Sequence, residues 1–348
     1  MDRLILRWLW GRSGGGWDLV FFPLTFLAWI YGGVVRARAG LYRAGLFKTR
    51  RADCRVVSVG NLSVGGVGKT PFVLFLAEQY RARGIKVGVV SRGYGREGGG
   101  RLAVSDGVRL LATPETAGDE PYLIAARLPD VPVVVSADRY DGCRWLVEQY
   151  GVSVVLLDDA FQHLALHRDL NLLLLDAISP FGNGRLLPRG MLREPPSAIA
   201  RADAIFLPGA MAGVDTRLPI VGCPVFSFAF EPTALVHVTM GAVSPLSDFA
   251  GRDVFALCGI ARPDRFIASL EQLKMRVAAR RIFPDHYRYT VADLARLQQE
   301  AGDLPIVTTE KDAVKLAQHD LAAHLDCRAV RIAVHIRSDD WAGLLFGG

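Results

Sequence analysis

The chain has 348 residues, 51% of them apolar and 22% charged, a length suited to two domains and a composition that excludes disorder, collagen and coiled coil. Its 41 basic and 35 acidic side chains give a net charge of +6, which on its own would suggest nucleic acid or an anionic surface. The charge is local: residues 1–55 hold ten basic and three acidic side chains, so that segment is +7 and the rest is −1. This argues for an anionic membrane surface and against a nucleic-acid partner. The five cysteines are far apart, odd in number and without a C-x-x-C pair, which argues against a disulfide framework or a thiolate zinc site and fits a reducing cytosol.

Residues 19–35 run without a charge, about 25 Å as a helix and marginal for crossing a bilayer. Three readings are open. Phe21, Leu24, Ala28, Tyr31 and Val35, with Trp17, recur at the spacing of a buried helix. Ala37-Arg38-Ala39 suggests a cleaved signal peptide, but the positive charges lie on the wrong side of the apolar run. Trp17, Trp29 and Tyr31 beside the basic run 36–55 fit an uncleaved segment seated in the headgroup layer. The expected organisation is an N-terminal membrane-associated segment at 1–50, a nucleotide-binding domain at 51–230 and a smaller α/β domain at 231–348.

The β-branched run at 56–59 feeds a glycine-rich loop and then a helix-like stretch closed by Gly84, the strand–loop–helix context of a P-loop. Ser63, Val64, Gly65, Gly66, Val67, Gly68, Lys69 and Thr70 are the expected phosphate cradle: backbone N–H groups and the helix dipole meet phosphate oxygens, Lys69 adds charge, and Thr70 can ligate Mg²⁺. Ser63 stands where the usual pattern has its first glycine. The apolar run 152–157 ends in Asp158 and Asp159, the layout of a Walker B strand, with one carboxylate for Mg²⁺ and the other for Lys69 or a nearby histidine. Further strands are predicted at 86–91, 131–136, 170–175 and 204–207, which makes a doubly wound α/β sheet of the P-loop (RecA-like) class with ligands at its carboxyl edge. A new α/β pattern follows a further strand at 233–240, with strands at 254–258, 277–282, 306–308 and 329–334 and helices at 264–273, 292–300 and 311–317.

Seven strings in order, VGNLSVGGVGKTP at 59–71, SRGYGR at 91–96, GDEP at 118–121, LDDAFQH at 157–163, RLLPRGMLREP at 185–195, FPDHY at 283–287 and TTEKD at 308–312, resemble the tetraacyldisaccharide 4′-kinases, the lipid A 4′-kinases of Gram-negative bacteria. That family also carries Ser at the first P-loop position. The resemblance implies transfer of the ATP γ-phosphoryl, with Mg²⁺, to the 4′-hydroxyl of a tetraacylated glucosamine disaccharide 1-phosphate on the cytoplasmic face of the inner membrane, with no obligate protein partner. By motif it implies Asp119 as general base assisted by His286, with Lys69 and Asp159 also catalytic. It implies Thr70, Asp158, Asp159 and Glu194 around the metal, and Arg92, Tyr94, Glu120, Gln162, His163 and Arg193 as substrate or phosphate contacts.

The anionic head group gives Arg92, Arg96, Arg189 and Arg193 a partner, and a cleft between the domains is expected to close on substrate to join His286 to Asp119. Plainer alternatives stand beside these: Asp119-Glu120-Pro121 is also a good helix start, and His286 a surface histidine. A membrane-recruited P-loop ATPase switch of the partitioning type and a nucleotide-binding scaffold are the competing functions.

Overall fold

The β-branched run after Arg55 forms β1 (Arg55–Gly60), and the first half of the chain adds β2 (Val87–Ser91), β3 (Leu102–Asp106), β4 (Pro132–Val135), β5 (Val154–Asp158), β6 (Leu170–Leu174) and β7 (Ala204–Pro208). In this computed structural model, which describes residues 16, 20–209, 222–337 and 340–347, these strands are nearly continuous in burial, as a sheet covered on both faces requires. Trp17 and the basic residues Arg3, Arg7 and Arg12 of the expected N-terminal segment lie outside the described residues. The order is β7-β6-β1-β5-β2-β4-β3, parallel throughout except for β3, which pairs antiparallel at the edge.

Among the described residues five helices accompany these strands: α1 (Phe22–Arg43), α2 (Lys69–Ala82), α3 (Pro114–Ala117), α4 (Asp119–Arg127) and α5 (Arg139–Tyr150). The second half contributes β8 (Val225–His237), β9 (Val243–Ser244), β10 (Asp253–Cys258), β11 (Arg276–Ile282), β12 (Ile306–Thr309) and β13 (Cys327–Ile336), with α6 (Pro263–Gln272), α7 (Val291–Ala301), α8 (Glu310–Leu316) and α9 (Trp341–Phe346).

The order β11-β10-β12-β13 is a second parallel block. It joins the first through β8, which pairs parallel with β7 and antiparallel with β13. The described residues therefore form one 13-stranded sheet, and the expected division at 230/231 falls inside β8. Sequence reading separates an apolar stretch up to Pro232 from a strand at 233–240; instead β8 runs through. The register slips between Arg331 and Ile332, opposite Pro232 and Ala234, and a bulge is where a strand tolerates a residue with no N–H to donate.

Helix α2 buries Phe72 through Ala77 and Tyr80. Phe72 packs on Phe206 and Phe228, at centroid distances of 4.7 and 5.4 Å, while α9 folds back so that Trp341 meets Phe75 and Phe346 meets Tyr80. The P-loop helix is thus clamped between the sheet and the C-terminal helix.

Helix α1 has two different faces. Thr25, Ala28 and Gly32 are buried, with Phe21, Leu24, Tyr31 and Val35 half-buried beside them; this is the face the helical spacing predicts for packing. A Cβ on Gly32 would lie 2.7 Å from Leu186 Cδ1, so glycine permits the close approach. The opposite face leaves Phe22, Phe26, Leu27, Trp29, Ile30 and Val34 exposed. Among the described residues no helix is long and apolar enough to cross a membrane.

Candidate active site

Strands β5 and β6 flank β1, and β2 lies beyond β5, all parallel, so their carboxyl ends deliver the P-loop, Ser91 and the Asp158-Asp159 pair to one edge. Gly60 ends β1 where a Cβ would clash with the Phe161 backbone at 2.7 Å, which lets the loop after β5 cross over it. At the far end of the P-loop, Gly68 has φ +84° and its Cβ would sit 1.9 Å from the Phe230 ring. Conformation and space both demand glycine there. Asn61 Nδ2 donates to Ser63 O at 2.7 Å, and Lys69 Nζ donates to Asn61 Oδ1 at 3.1 Å and pairs with Asp159 Oδ1 at 3.5 Å. Thr70 follows in the first turn of α2.

The loop at 185–195 zips onto the P-loop: Val64 N donates to Met191 O at 2.8 Å and Arg193 N to Leu62 O at 2.7 Å. Arg193 Nη1 then reaches both oxygens of Asp159, at 3.0 and 2.9 Å. Asp159 has left the strand with φ +50°, so a backbone turn, rather than simple strand alternation, separates the two carboxylates. Burial alone would raise its carboxyl, but Lys69 and Arg193 outweigh that and hold it below its ordinary value.

Asp158 stays on β5 with Oδ2 accepting from Ser91 Oγ at 3.0 Å. Its burial, together with the charges of Glu120 and Asp159, pushes it up to about 7. Its Oδ1 is buried and accepts no hydrogen bond, an orphaned hard oxygen beside a phosphate cradle. That is where a divalent cation would supply the missing counter-charge, and the donor set suits Mg²⁺.

Glu194 is buried, but its Oε2 accepts from Arg201 at 2.6 Å and from Gln162 Nε2 at 3.3 Å. Among the described residues no three His, Cys, Asp or Glu side chains converge into a metal cluster. Gln162 also donates to Asn61 O at 2.8 Å. His163 is half-buried, and its imidazole is held down to about 4 by desolvation and by Arg139 and Arg168. Arg189 is fully buried with its guanidinium 5.1 Å from the Phe21 ring and cannot meet a head group as expected; it packs the loop against the chain just before α1. Arg96 turns to Gly100 O.

The second wall of the site is built by two glycine-hinged loops. Gly93 has φ +67° and its Cβ would lie 2.8 Å from Ala117 O, while Gly118, φ +94°, approaches Tyr94 O and Gly93; these close approaches explain why SRGYGR and GDEP occur together. Gly118 launches α4, so Asp119 and Glu120 occupy its first turn, where the helix dipole favours acids. The helix start and the expected catalytic position coincide. His286 Nδ1 lies 3.2 Å from Asp119 Oδ2, so the two residues that the cleft between the halves was expected to join are in contact. Tyr94 is exposed with its ring 6.0 Å from the imidazole, and Arg92 is exposed beside it.

Glu310 and Lys311 begin α8, one residue ahead of the helix start expected at 311. Four of the five residues of the 308–312 motif have partners, while Thr308 Oγ1 is buried and makes no hydrogen bond. Thr309 caps Asp312 N, Glu310 pairs with Arg127 and accepts from Ile332 N, and buried Asp312 accepts from Gly259 N and Tyr289 Oη. Lys311 contacts Glu120, Asp285 and His286, and Lys315 Nζ lies 3.8 Å from Asp119. Burial alone would raise Asp119, but the hydrogen bond to His286 and the charges of Lys315 and Lys311 hold it below its ordinary range.

Sequence reasoning missed Lys311, Lys315, Arg201 and Arg139. Arg139 is buried, donates to Ser136 O at 2.9 Å and has burial lowering it against the opposing pull of Asp158. A signal existed: an arginine in a first helical turn opposes the helix dipole and needs an acidic neighbour. Helix α1 also reaches the site, since Tyr31 Oη donates to Arg193 O at 2.8 Å and Arg38 to Gln162 O at 3.2 Å.

A family model described as tetraacyldisaccharide-1-P 4′-kinase (LpxK) matches residues 20–346. A tetraacyldisaccharide 4′-kinase of Desulfatibacillum aliphaticivorans is 43% identical over 326 residues, covering 89% of this chain and 88% of its own. One of Anaeromyxobacter dehalogenans (strain 2CP-C) is 42% identical over 345 residues, covering 95% and 91%. The crystal structure of "apo" form LpxK from Aquifex aeolicus in complex with ATP matches with a TM-score of 0.78 at 35% identity, over 92% of this chain and 96% of that one. Sequence, relatives and architecture agree over nearly the whole length, and the chain belongs to the tetraacyldisaccharide-1-P 4′-kinase family.

Proposed function

We propose that in this kinase Asp119 is the general base for transfer of the ATP γ-phosphoryl to the 4′-hydroxyl of a tetraacylated glucosamine disaccharide 1-phosphate, giving lipid IVA. The observation that carries the assignment is the 3.2 Å contact between Asp119 and His286, made by residues of opposite halves of the sheet. As the 4′-oxygen bonds to phosphorus, its proton passes to Asp119 and the bond to the bridging oxygen breaks, releasing ADP. His286 and the two lysines fix the carboxylate and keep it deprotonated beforehand. The 63–70 backbone and Lys69 receive the phosphates, Arg193 steadies Asp159, and Thr70, Asp158 and Asp159 would hold Mg²⁺. When bound, that ion neutralises charge developing on the phosphate oxygens. Glu194 holds Gln162 and Arg201 in place rather than serving as a ready ligand. Arg92 and Tyr94 line the rim for the sugar phosphate.

The exposed apolar face of α1, with Arg36, Arg43, Lys48 and Arg51 following it, seats the enzyme as a peripheral protein on the anionic cytoplasmic face of the inner membrane, where its acylated substrate resides. No protein partner is needed for that. Purified protein with Mg-ATP and the lipid disaccharide in mixed micelles should yield the 4′-phosphorylated lipid. Asp119→Asn should lower turnover by roughly 10²–10⁴-fold with ATP binding retained; turnover close to wild type would remove Asp119 as the base.

A further inference from the structure

We propose that Lys311 is a positioning residue that fixes the tautomer of His286, so that Nδ1 carries the ring proton toward Asp119. This rests on the reading of Asp119 as base and names what sets its partner. Three acceptors surround Lys311 Nζ: Asp285 Oδ1 at 3.2 Å, His286 Nε2 at 3.2 Å and Glu120 Oε1 at 3.3 Å. An ammonium has three protons to give and no lone pair, so its donors are all used and Nε2 must accept. The single ring proton then resides on Nδ1, the nitrogen 3.2 Å from Asp119 Oδ2, and His286 donates to the carboxylate. Burial opposes the charge on Lys311, but Glu120, Asp285 and Asp119 outweigh it and raise the amine above its ordinary value. The donor is therefore permanent at working pH.

The His286 side chain is 35% exposed, and the groups that face the rest of it come from several elements. Asp119 comes from α4, Lys311 and Lys315 from α8, and Tyr94 from the loop after β2. Asp285 on its own loop lies 3.9 Å from Nε2, already engaged by Lys311. Arg288 turns away to Glu97 at 2.6 Å. His286 itself has φ +60°, an uncommon backbone state for histidine outside turns that the surrounding contacts hold in place.

Without Lys311 that constraint goes: Nε2 becomes free to carry the ring proton and donate to Asp285, and Nδ1 then has no proton for Asp119. The carboxylate loses both the hydrogen bond from His286 and the charge of Lys311 that hold it below its ordinary value, so its proton affinity rises.

The test combines ¹⁵N-imidazole spectra with pH–rate profiles on the full-length protein in micelles, the His286 signals being identified by their loss in His286→Asn. Wild type should show the Nδ1–H tautomer of His286. Lys311→Met should lower kcat roughly tenfold or more, leave KM for ATP unchanged, and move the acid limb of kcat/KM upward by about one pH unit. Lys311→Arg, which keeps charge and donors, should restore the wild-type limb. An Nε2–H tautomer in wild type, or a Lys311→Met profile that only scales down without shifting, would overturn the proposal. If Lys311→Met fails to fold, the wild-type tautomer and the Lys311→Arg profile still decide it. Near-normal turnover in Asp119→Asn would sink the base reading instead, and the tautomer spectrum would then judge Lys311 separately.

Discussion

The two walls of the active site are made by different means. The P-loop wall is backbone: glycines at 65, 66 and 68, a helix N-terminus, and two aspartates at one strand end, nearly all within short contiguous strings. The opposite wall is side-chain charge gathered from distant places, with Asp119 and Glu120 from α4 meeting His286, Lys311 and Lys315 from the other half of the sheet. Backbone sites are intolerant of shape changes, because a Cβ has nowhere to go. Charge-built sites tolerate shape but depend on which proton sits where.

The largest expected contrast is between Lys69→Met and Asp119→Asn. Both should cost roughly 10²-fold or more in turnover, but Lys69→Met should also weaken ATP binding while Asp119→Asn leaves it within about twofold; calorimetric titration with ATP separates them. Gly68→Ala should destabilise the fold by about 1–3 kcal/mol through its positive φ and lose more through the Phe230 clash, and Phe230→Ala should return part of that second loss in denaturant titrations.

On α1, Trp29→Glu with Ile30→Glu should weaken vesicle binding roughly tenfold or more, from the loss of about 1.5–3 kcal/mol per inserted side chain, without changing solution stability. Gly32→Leu should do the reverse, since its Cβ meets Leu186; sedimentation with anionic vesicles and thermal unfolding read the two effects.

Acid sensitivity tests the charged wall alone. The Asp119 carboxyl is held below its ordinary 3.8, so its contribution to stability is fully present above that value and is lost as pH falls through the lowered one. Lys315→Met should raise the folded value toward 3.8 and shrink that contribution, seen as an acid transition at higher pH by circular dichroism. The smallest effect belongs to Arg288→Ala, whose ion pair with Glu97 has side chains 59% and 62% exposed; it should change stability by no more than about 0.5 kcal/mol.

The same contrast governs what the sequence made legible. Glycine spacing and a strand ending in two aspartates announce the P-loop wall because their meaning is local. Lys311, Lys315 and Arg201 look like ordinary helical cations, and only topology reveals that each faces a carboxylate; Arg139 is drawn inward onto the Ser136 carbonyl. Asp119 and His286 came from family resemblance, not from spacing. The edge strand β3 was overlooked because five residues after a glycine cluster carry too little pattern. The continuity of β8 was hidden by Pro232, which reads as a break unless the bulge opposite is known.

The antiparallel joint between β8 and β13, nine residue pairs long, sets how the halves of this kinase can part. A flexible tether would let them drift; a ladder of backbone hydrogen bonds lets them only twist, with amplitude greatest far from the joint. Substrate entry then becomes a small torsion of a shared sheet, and heating should melt both halves in a single cooperative transition rather than one after the other.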